Sequence, residues 1–115
     1  MKPQILIVED DFLVALAIQD VIEAAGYEVV GPYRRLTSAW DVARSLELSA
    51  AFLDIRIEGG TVFPVAKALQ NRGIPFAFVT ANPELITAKI YPEAPVISKP
   101  FAPSDVEGAL ERLVH

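Results

Sequence analysis

The feature that most constrains the fold is an alternation of short apolar runs with stretches of helical spacing. Apolar runs bounded by charged residues, glycine or proline occupy residues 5–8, 27–30, 50–53, 76–79 and 96–97. Continuous apolar runs of this length are typical of strands that are buried on both faces of a parallel sheet. Between the runs, apolar residues recur at the i, i+3, i+4 spacing of one helix face. The alternation therefore predicts an α/β fold, a doubly wound parallel sheet with helices on both faces.

Capping and breaking residues set the expected helix bounds. The first helix is expected to end before Gly26, since glycine accommodates the left-handed conformation that follows a helix. Thr37 or Ser38 is expected to cap the second helix. The fourth is expected to begin at Asn82, with Pro83 in its first turn, and to end near residue 91, ahead of a proline. The helix faces expected to be buried comprise Val14, Ala17, Ile18, Val21, Ile22 and Ala25; Ala39, Val42, Ala43 and Leu46; Val62, Val65, Ala66 and Leu69; and Val106, Ala109, Leu110 and Leu113.

Length and charge limit the classes to which the chain can belong. Its 115 residues fit one domain, 1–115, and 52% of them are hydrophobic, which excludes a disordered acidic chain. The formal net charge is −5 and no cationic run exceeds Arg34-Arg35, so nucleic acid is not an expected partner. No cysteine is present, which excludes disulfides and thiolate chemistry. The run at 5–8 is too short for a signal peptide or a membrane span, so we expect a cytoplasmic protein without a membrane partner.

Chemically active residues follow the predicted strands. Residues 9–11 (Glu-Asp-Asp) come after the first strand and Asp54 after the third, while Thr80 ends the fourth and Lys99 follows the fifth. In open α/β sheets, ligands bind outside the carboxyl ends of the strands. If these strands are neighbours, several carboxylates, one hydroxyl and one ammonium converge there.

This set of groups is suited to a divalent cation and to phosphoryl transfer. Clustered carboxylates repel one another unless a cation or a proton relieves them. Oxygen ligands without histidine or cysteine suit Mg²⁺ or Mn²⁺. Asp54 stands alone at its strand end and is the expected acceptor, whereas Glu9 and Asp10 form the expected metal clamp. Lys99 would neutralise the transferring oxygens and Thr80 would donate a hydrogen bond to one of them.

Four short motifs occur in order at these strand ends. They are residues 5–10 (Ile-Leu-Ile-Val-Glu-Asp), Leu53-Asp54, residues 78–81 (Phe-Val-Thr-Ala) and residues 98–101 (Ser-Lys-Pro-Phe). Together they resemble the receiver domain of bacterial two-component response regulators, over essentially the whole chain. The segment 73–80 is similar to the single-domain receivers common in alphaproteobacteria. The resemblance implies a flavodoxin-like, five-stranded parallel sheet in the order 2-1-3-4-5.

The resemblance also implies a function. Asp54 would accept a phosphoryl group from a histidine kinase or a histidine phosphotransfer protein, and the domain would catalyse only its own phosphorylation and dephosphorylation. Lys99, joined to Pro100 by a cis bond, would pair with the phosphoryl group, and Thr80 would move on phosphorylation. Output would pass by contact with a downstream protein that the sequence does not name. The domain is expected to be a monomer or a weak dimer.

The metal site follows from the same resemblance. Mg²⁺ would be held by Asp10, Asp54 and the main-chain carbonyl of Arg56. Glu9 would act on the metal through water.

Three departures from the family pattern affect the output. The family usually has tyrosine or phenylalanine three residues before the lysine, where this chain has Val96. The segment 80–99 is shorter than is usual, so the fourth helix is expected to be stunted or irregular. Residues 57–60 (Ile-Glu-Gly-Gly) replace the common Met-Pro, and their two glycines predict a mobile loop.

Two rival functions stay open. One is an interaction module that keeps the shape of a receiver and works without phosphorylation, which Val96 and the short segment 80–99 favour. The other is a Mg²⁺-dependent phosphohydrolase of small molecules, which is disfavoured because no acid lies two residues after Asp54, where Arg56 stands.

Two local features have alternative interpretations. Asp11 is expected to be a helix cap or a surface charge rather than a ligand. Leu13 and Leu16 lie off the main apolar stripe of the first helix, so they form either an exposed patch where a kinase docks or a contact with the loop after the fifth strand.

Overall fold

The computed structural model describes residues 2–83 and 91–114. The elements in chain order are β1 (Gln4–Val8), α1 (Phe12–Ala24), β2 (Glu28–Tyr33), α2 (Leu36–Ser45), β3 (Ala50–Asp54), β4 (Arg56–Ile57), β5 (Gly60–Thr61), α3 (Phe63–Asn71), β6 (Phe76–Thr80), β7 (Val96–Ser98) and α4 (Pro103–Leu113).

Five of these strands form one parallel sheet in the order β2-β1-β3-β6-β7. Strands β4 and β5 form a separate two-stranded sheet, so β6 and β7 are the fourth and fifth strands of the main sheet. The observed order is therefore the predicted order 2-1-3-4-5. The predicted α/β class and sheet are therefore confirmed. Among the described residues, no helix is long and apolar enough to cross a membrane.

The core lies in two layers, one on each face of the sheet. In β1, Leu6 and Val8 face α2 and α3, whereas Ile5 and Ile7 face α1 and α4. All four side chains are fully buried. Burial of each such aliphatic side chain stabilises the fold by about 1.5–3 kcal/mol. This explains why the strands appear in the sequence as continuous apolar runs rather than as alternating ones.

An aromatic cluster stands on the face that α3 covers. It consists of Phe63, Phe76, Phe78 and Tyr91. The ring of Tyr91 lies nearly parallel to that of Phe63 at a centroid distance of 6.3 Å, and edge-on to that of Phe76 at 5.4 Å. Burial raises the pKa of the Tyr91 hydroxyl. Through these contacts Tyr91 packs against Phe76 and Phe78 on β6, a strand inside the sheet.

Helix α1 differs from its prediction in one part of its buried face. Ala15, Ile18, Val21 and Ile22 are buried, whereas Ala17 and Ala25, which were expected to be buried, are exposed. The stripe that contacts the sheet is therefore rotated toward Ala15.

The two ends of α1 follow the predictions. The Asp11 side chain accepts hydrogen bonds from the Leu13 and Val14 amides at 3.0 and 3.3 Å, so its predicted role as a cap is confirmed. Gly26 has φ +91° after the last turn. Its amide donates to the Glu23 carbonyl at 3.0 Å and closes the helix.

Helix α2 begins earlier than predicted. The residue before its first turn is Arg35, which makes no side-chain cap, so the predicted capping by Thr37 or Ser38 is wrong. The cause is tertiary: the Leu36 amide donates to the Glu58 carbonyl at 2.8 Å. This bond satisfies one of the free amides of the first turn from outside the helix.

Residues 57–60, expected to form a mobile loop, belong to a braced hairpin. Ile57 pairs with Gly60 in the antiparallel β4–β5 ribbon. The Glu58 amide donates to the Arg34 carbonyl at 3.1 Å. Gly59 has φ +97°, a conformation that side chains rarely adopt, and a Cβ there would lie 3.3 Å from that of Leu36. The glycines therefore permit a tight turn against the start of α2.

The other helix predictions have separate outcomes. Helix α3 buries Val65, Ala66 and Leu69 as predicted. Helix α4 likewise buries Val106, Ala109 and Leu110. Most of the predicted fourth helix lies outside the described residues.

Candidate functional site

The sheet register brings the predicted residues to one edge. Val8 pairs with Leu53, Asp54 with Val79 and Thr80 with Ser98. Glu9, Asp54, Thr80 and Lys99 stand at or directly after these positions. We call this group, together with Asp10, the acidic edge. Its assembly from four separate strands follows directly from the parallel order β1-β3-β6-β7.

Three carboxylates of the acidic edge lie close enough to share a cation. One oxygen from each of Glu9, Asp10 and Asp54 lies within 4.8 Å of the others. Glu9 and Asp54 are buried, and Asp10 is exposed at the mouth of the site. Hard oxygen donors of this kind suit Mg²⁺. The donor set therefore fits the cation that the sequence predicts.

Lys99 bridges the two buried carboxylates. Its Nζ lies 2.9 Å from Glu9 Oε1 and 3.6 Å from Asp54 Oδ1. Burial alone would lower the pKa of Lys99, but the hydrogen bond and charge of Glu9 and the charge of Asp54 raise the pKa overall. Apart from this ion pair with Lys99, Glu9 Oε1 has no hydrogen-bond partner among the described residues. This buried oxygen can therefore take a further positive partner.

The pKa of the Asp54 carboxyl lies well above its ordinary value. Burial, reinforced by the hydrogen bond and charge of Glu9, raises the pKa of Asp54 from 3.8 to about 7, against the opposing charge of Lys99. Two carboxylates as close as those of Glu9 and Asp54, whose oxygens lie within 4.8 Å, favour one shared proton. A divalent cation would favour the ionised form of Asp54, which is also its nucleophilic form.

Thr80 is poised as a hydrogen-bond donor. It is buried, and its Oγ1 accepts a hydrogen bond from the Asn82 amide at 3.1 Å. A hydroxyl has one proton to donate besides its lone pairs. Since the Asn82 amide occupies a lone pair, the Thr80 proton stays available for an acceptor at the mouth of the site.

The peptide bond between Lys99 and Pro100 is cis, as the resemblance implies. The Lys99 amide donates to the Thr80 carbonyl at 2.8 Å, which continues the β6–β7 pairing beyond the last strand residue. The backbone of Lys99 is thus fixed beside Thr80.

Sequence reasoning missed how Glu9 is positioned. The Glu9 amide donates to the Tyr33 carbonyl at 2.9 Å, where the β1–β2 register shifts. This shift follows Gly31, which has φ +106°, and a Cβ there would lie 2.8 Å from the Ile7 carbonyl oxygen. A second cis bond joins Gly31 to Pro32. The Gly-Pro pair inside an otherwise apolar strand was the available signal.

Arg56 and the first helix complete the surroundings. Arg56 lies on β4 with its side chain exposed, and the ligand role of its carbonyl stays a prediction. Leu13 and Phe12 are each 73% exposed. Of the two alternatives left open for Leu13, packing against the loop after the last strand is therefore excluded, and the exposed patch remains. Phe12, which the sequence analysis did not single out, extends the apolar patch to the mouth of the site.

The sequence matches the family model described as the response regulator receiver domain over residues 5–111. The chain belongs to this family. Its sheet order and the strand-end positions of the acidic edge agree with that assignment, so the resemblance inferred from the four motifs is confirmed.

Three relatives illustrate where this receiver domain stands. It is 32% identical to the phyllosphere-induced regulator PhyR of Methylorubrum extorquens over 97% of its length, and it spans 43% of that regulator. It is 35% identical to SdrG of Sphingomonas melonis, with a TM-score of 0.85 and coverage of 97% and 96% of the two chains. A mutant of the anti-anti-sigma factor PhyR of Bartonella quintana is 31% identical with a TM-score of 0.76, over 96% of this chain and 47% of that one.

Proposed function

We propose that this receiver domain accepts a phosphoryl group on Asp54, with Mg²⁺ bound at the acidic edge. The observation that carries the proposal is the buried arrangement of Asp54 with Glu9 on one side and Lys99 3.6 Å away. An isolated surface aspartate would have neither the neighbouring cation nor the raised pKa.

The chemistry is a displacement at phosphorus. An Asp54 carboxylate oxygen forms the new bond to phosphorus while the bond from phosphorus to a donor imidazole nitrogen breaks. The imidazole leaves with the bonding electrons and takes a proton from solvent. Lys99 and the Thr80 hydroxyl are placed to pair with the transferred oxygens, and electrostatic stabilisation of this kind dominates phosphoryl transfer.

Glu9, Asp10, Asp54 and the Arg56 carbonyl would hold Mg²⁺, with Glu9 acting through water. The bound cation supplies charge neutralisation on the transferred oxygens. Glu9 also holds Lys99, so its role is shared between the two positive groups. The domain turns over only its own acyl phosphate and is not an enzyme for an external substrate.

The phosphoryl donor is a histidine kinase or a histidine phosphotransfer protein. The exposed apolar patch of Phe12, Leu13 and Leu16 lies at the start of α1, directly after the acidic edge. A donor that covers this patch would bring its histidine beside Asp54. Exposed apolar side chains next to a reactive centre favour this arrangement.

Output passes by protein contact. One relative of this domain is described as an anti-anti-sigma factor, so the candidate downstream partner here is a protein that such a factor would oppose, an anti-sigma factor. Val96 is 42% exposed and carries no ring that could rotate. The alternative function, an interaction module without phosphorylation, is favoured by Val96 and by the short segment 80–99.

The test is incubation of the protein with Mg²⁺ and acetyl phosphate, followed by detection of an alkali-labile phosphate. We expect wild type to be labelled and Asp54→Asn to be unlabelled, because the amide is not a nucleophile at this step. Equal labelling of both proteins, or of neither, contradicts the proposal. Absence of labelling with intact partner binding would support the interaction module instead.

The same assay separates chemistry from donor docking. Leu16→Glu is expected to lose transfer from a cognate kinase and to keep labelling by acetyl phosphate. Loss of both would indicate a damaged fold, and retention of both would exclude this patch as the docking surface.

A further inference from the structure

The arginines of this chain are concentrated on one face. Arg34, Arg35, Arg44 and Arg56 are four of its ten lysines and arginines, and Trp40 is its only tryptophan. All five lie between the end of β2 and the start of β4. We call these five residues the arginine face.

The fold brings the two ends of this stretch together. The Glu58 amide donates to the Arg34 carbonyl, and Arg35 forms a parallel bridge with Glu58. Ile57 is buried, so its neighbours on β4 and in the turn point outward, and the Arg56 side chain is exposed. The arginines before α2 and the arginine after β3 are therefore neighbours at the surface.

Trp40 and Arg44 extend the arginine face along α2. The guanidinium of Arg44 stacks on the Trp40 ring at 3.8 Å from its centroid. Trp40 is still 40% exposed. Tryptophan and arginine are the residue types most enriched among residues that dominate protein interfaces. A stacked pair that stays exposed is a preformed anchor for a partner.

The charges of this face are only partly neutralised. Arg35 pairs with Glu58 at 3.5 Å and Arg44 with Asp41 at 3.1 Å, and both pairs are exposed. No acidic partner of Arg34 or Arg56 is found within the described ranges. The face therefore carries a positive excess in a chain whose net charge is −5.

The opposite face of the molecule has the opposite sign. Helices α1 and α4 pack on the other side of the sheet and expose Asp20, Glu23, Glu107 and Glu111. An acidic ligand would be repelled there and steered to the arginine face.

We infer that the arginine face binds an acidic segment of a partner protein, with an apolar side chain of that segment covering Trp40. This surface is separate from the patch on α1, and its use does not depend on phosphorylation of Asp54. A nucleic acid is disfavoured because the positive surface is small and the rest of the chain would repel phosphates.

The test uses the emission of Trp40 and a short synthetic peptide of alternating glutamate and leucine. We expect a saturable change in emission that weakens with added salt, and none with a peptide of alternating lysine and leucine. Arg34→Gln/Arg35→Gln should weaken binding about tenfold, through the loss of two cationic contacts. The Asp54→Asn variant should bind like wild type, which separates this inference from the proposed phosphorylation.

The matched control is Lys2→Gln/Arg112→Gln, which removes two charges that do not belong to the arginine face. It should change affinity by less than about twofold, since only long-range charge is altered. Equal weakening by both double variants, equal binding of both peptides, or tighter binding of a single-stranded oligonucleotide would overturn the inference. If Arg34→Gln/Arg35→Gln fails to fold, Arg56→Gln provides the same comparison with one charge.

Discussion

The acidic edge and the aromatic cluster meet on one strand, and they differ in what holds them. Thr80 belongs to the acidic edge and Phe78, two residues earlier on β6, belongs to the aromatic cluster. The first region gathers three carboxylates that repel one another and that Lys99 neutralises only in part. The second gathers rings that attract one another without help. The comparison teaches that the mutually repelling carboxylates of this receiver domain are held in place by a strand, β6, whose buried rings stabilise the fold.

The comparison also bears on output. The family's usual aromatic residue before the lysine is replaced by Val96, which is exposed. The aromatic bulk lies instead beside α3, where Tyr91 packs on Phe78 at a centroid distance of 5.7 Å. Among the described residues, ring packing thus supports the acidic edge from β6 and α3 rather than lying beside Lys99.

The largest expected effect comes from removing that support. Phe78→Ala should destabilise the protein by about 3–5 kcal/mol, since it empties a fully buried site that three other rings contact. Denaturant unfolding followed by circular dichroism measures the change. Val96→Ala is the matched control and should cost less than about 1 kcal/mol, because Val96 is already 42% exposed in the fold. Comparable losses at the two positions would contradict the assignment of Phe78 as the support.

An intermediate effect is expected from the acidic edge. The native state holds the Asp54 proton more tightly than the unfolded chain does, because the pKa of this carboxyl is about 7 in the fold against 3.8 outside it. The stability of the metal-free protein should therefore fall as the pH rises from about 4 to about 7. Thermal unfolding in the presence of a chelator measures this slope. In Asp54→Asn the slope should be much shallower, and an unchanged slope would show that another group titrates.

Addition of Mg²⁺ at pH 8 should restore part of the lost stability in wild type. At ten times its Kd, a cation that binds only the native state adds about 1.4 kcal/mol. Glu9→Gln should reduce this gain, since it replaces one of the three clustered carboxylates by a neutral amide.

The smallest effect is expected at the brace between the hairpin and α2. Arg35→Ala removes an exposed ion pair to Glu58 and should change stability by less than about 1 kcal/mol. The backbone bonds of Glu58 to residues 34 and 36 remain in the variant. A larger loss in denaturant unfolding would show that the side-chain pair, rather than the backbone, holds the hairpin.

The sequence was sufficient for the sheet and for the position of the acidic edge. Continuous apolar runs identify strands buried on both faces, and residues directly after such strands must lie at one edge of a parallel sheet. Glu9, Asp54 and Lys99 could be placed in this way because the argument needs only local pattern and strand direction.

Features that depend on tertiary contacts could not be predicted. Helix α2 begins at Leu36 because Glu58, distant in sequence, accepts its amide hydrogen. The Gly59-Gly60 pair was predicted to form a mobile loop because each strand of the hairpin has only two residues, which is too short to give a periodic signal. The register shift at Gly31 lets the Glu9 amide reach the Tyr33 carbonyl. It likewise depends on the contact between two strands, β1 and β2.

The contact between Lys99 and Glu9 has a consequence for the speed of the proposed reaction. A free lysine side chain samples many rotamers, and holding it in one costs up to about 2 kcal/mol of conformational entropy. Glu9 already holds Lys99 at 2.9 Å in the resting protein. That entropy is lost when the chain folds, so none of it has to be lost again when a phosphoryl group arrives on Asp54.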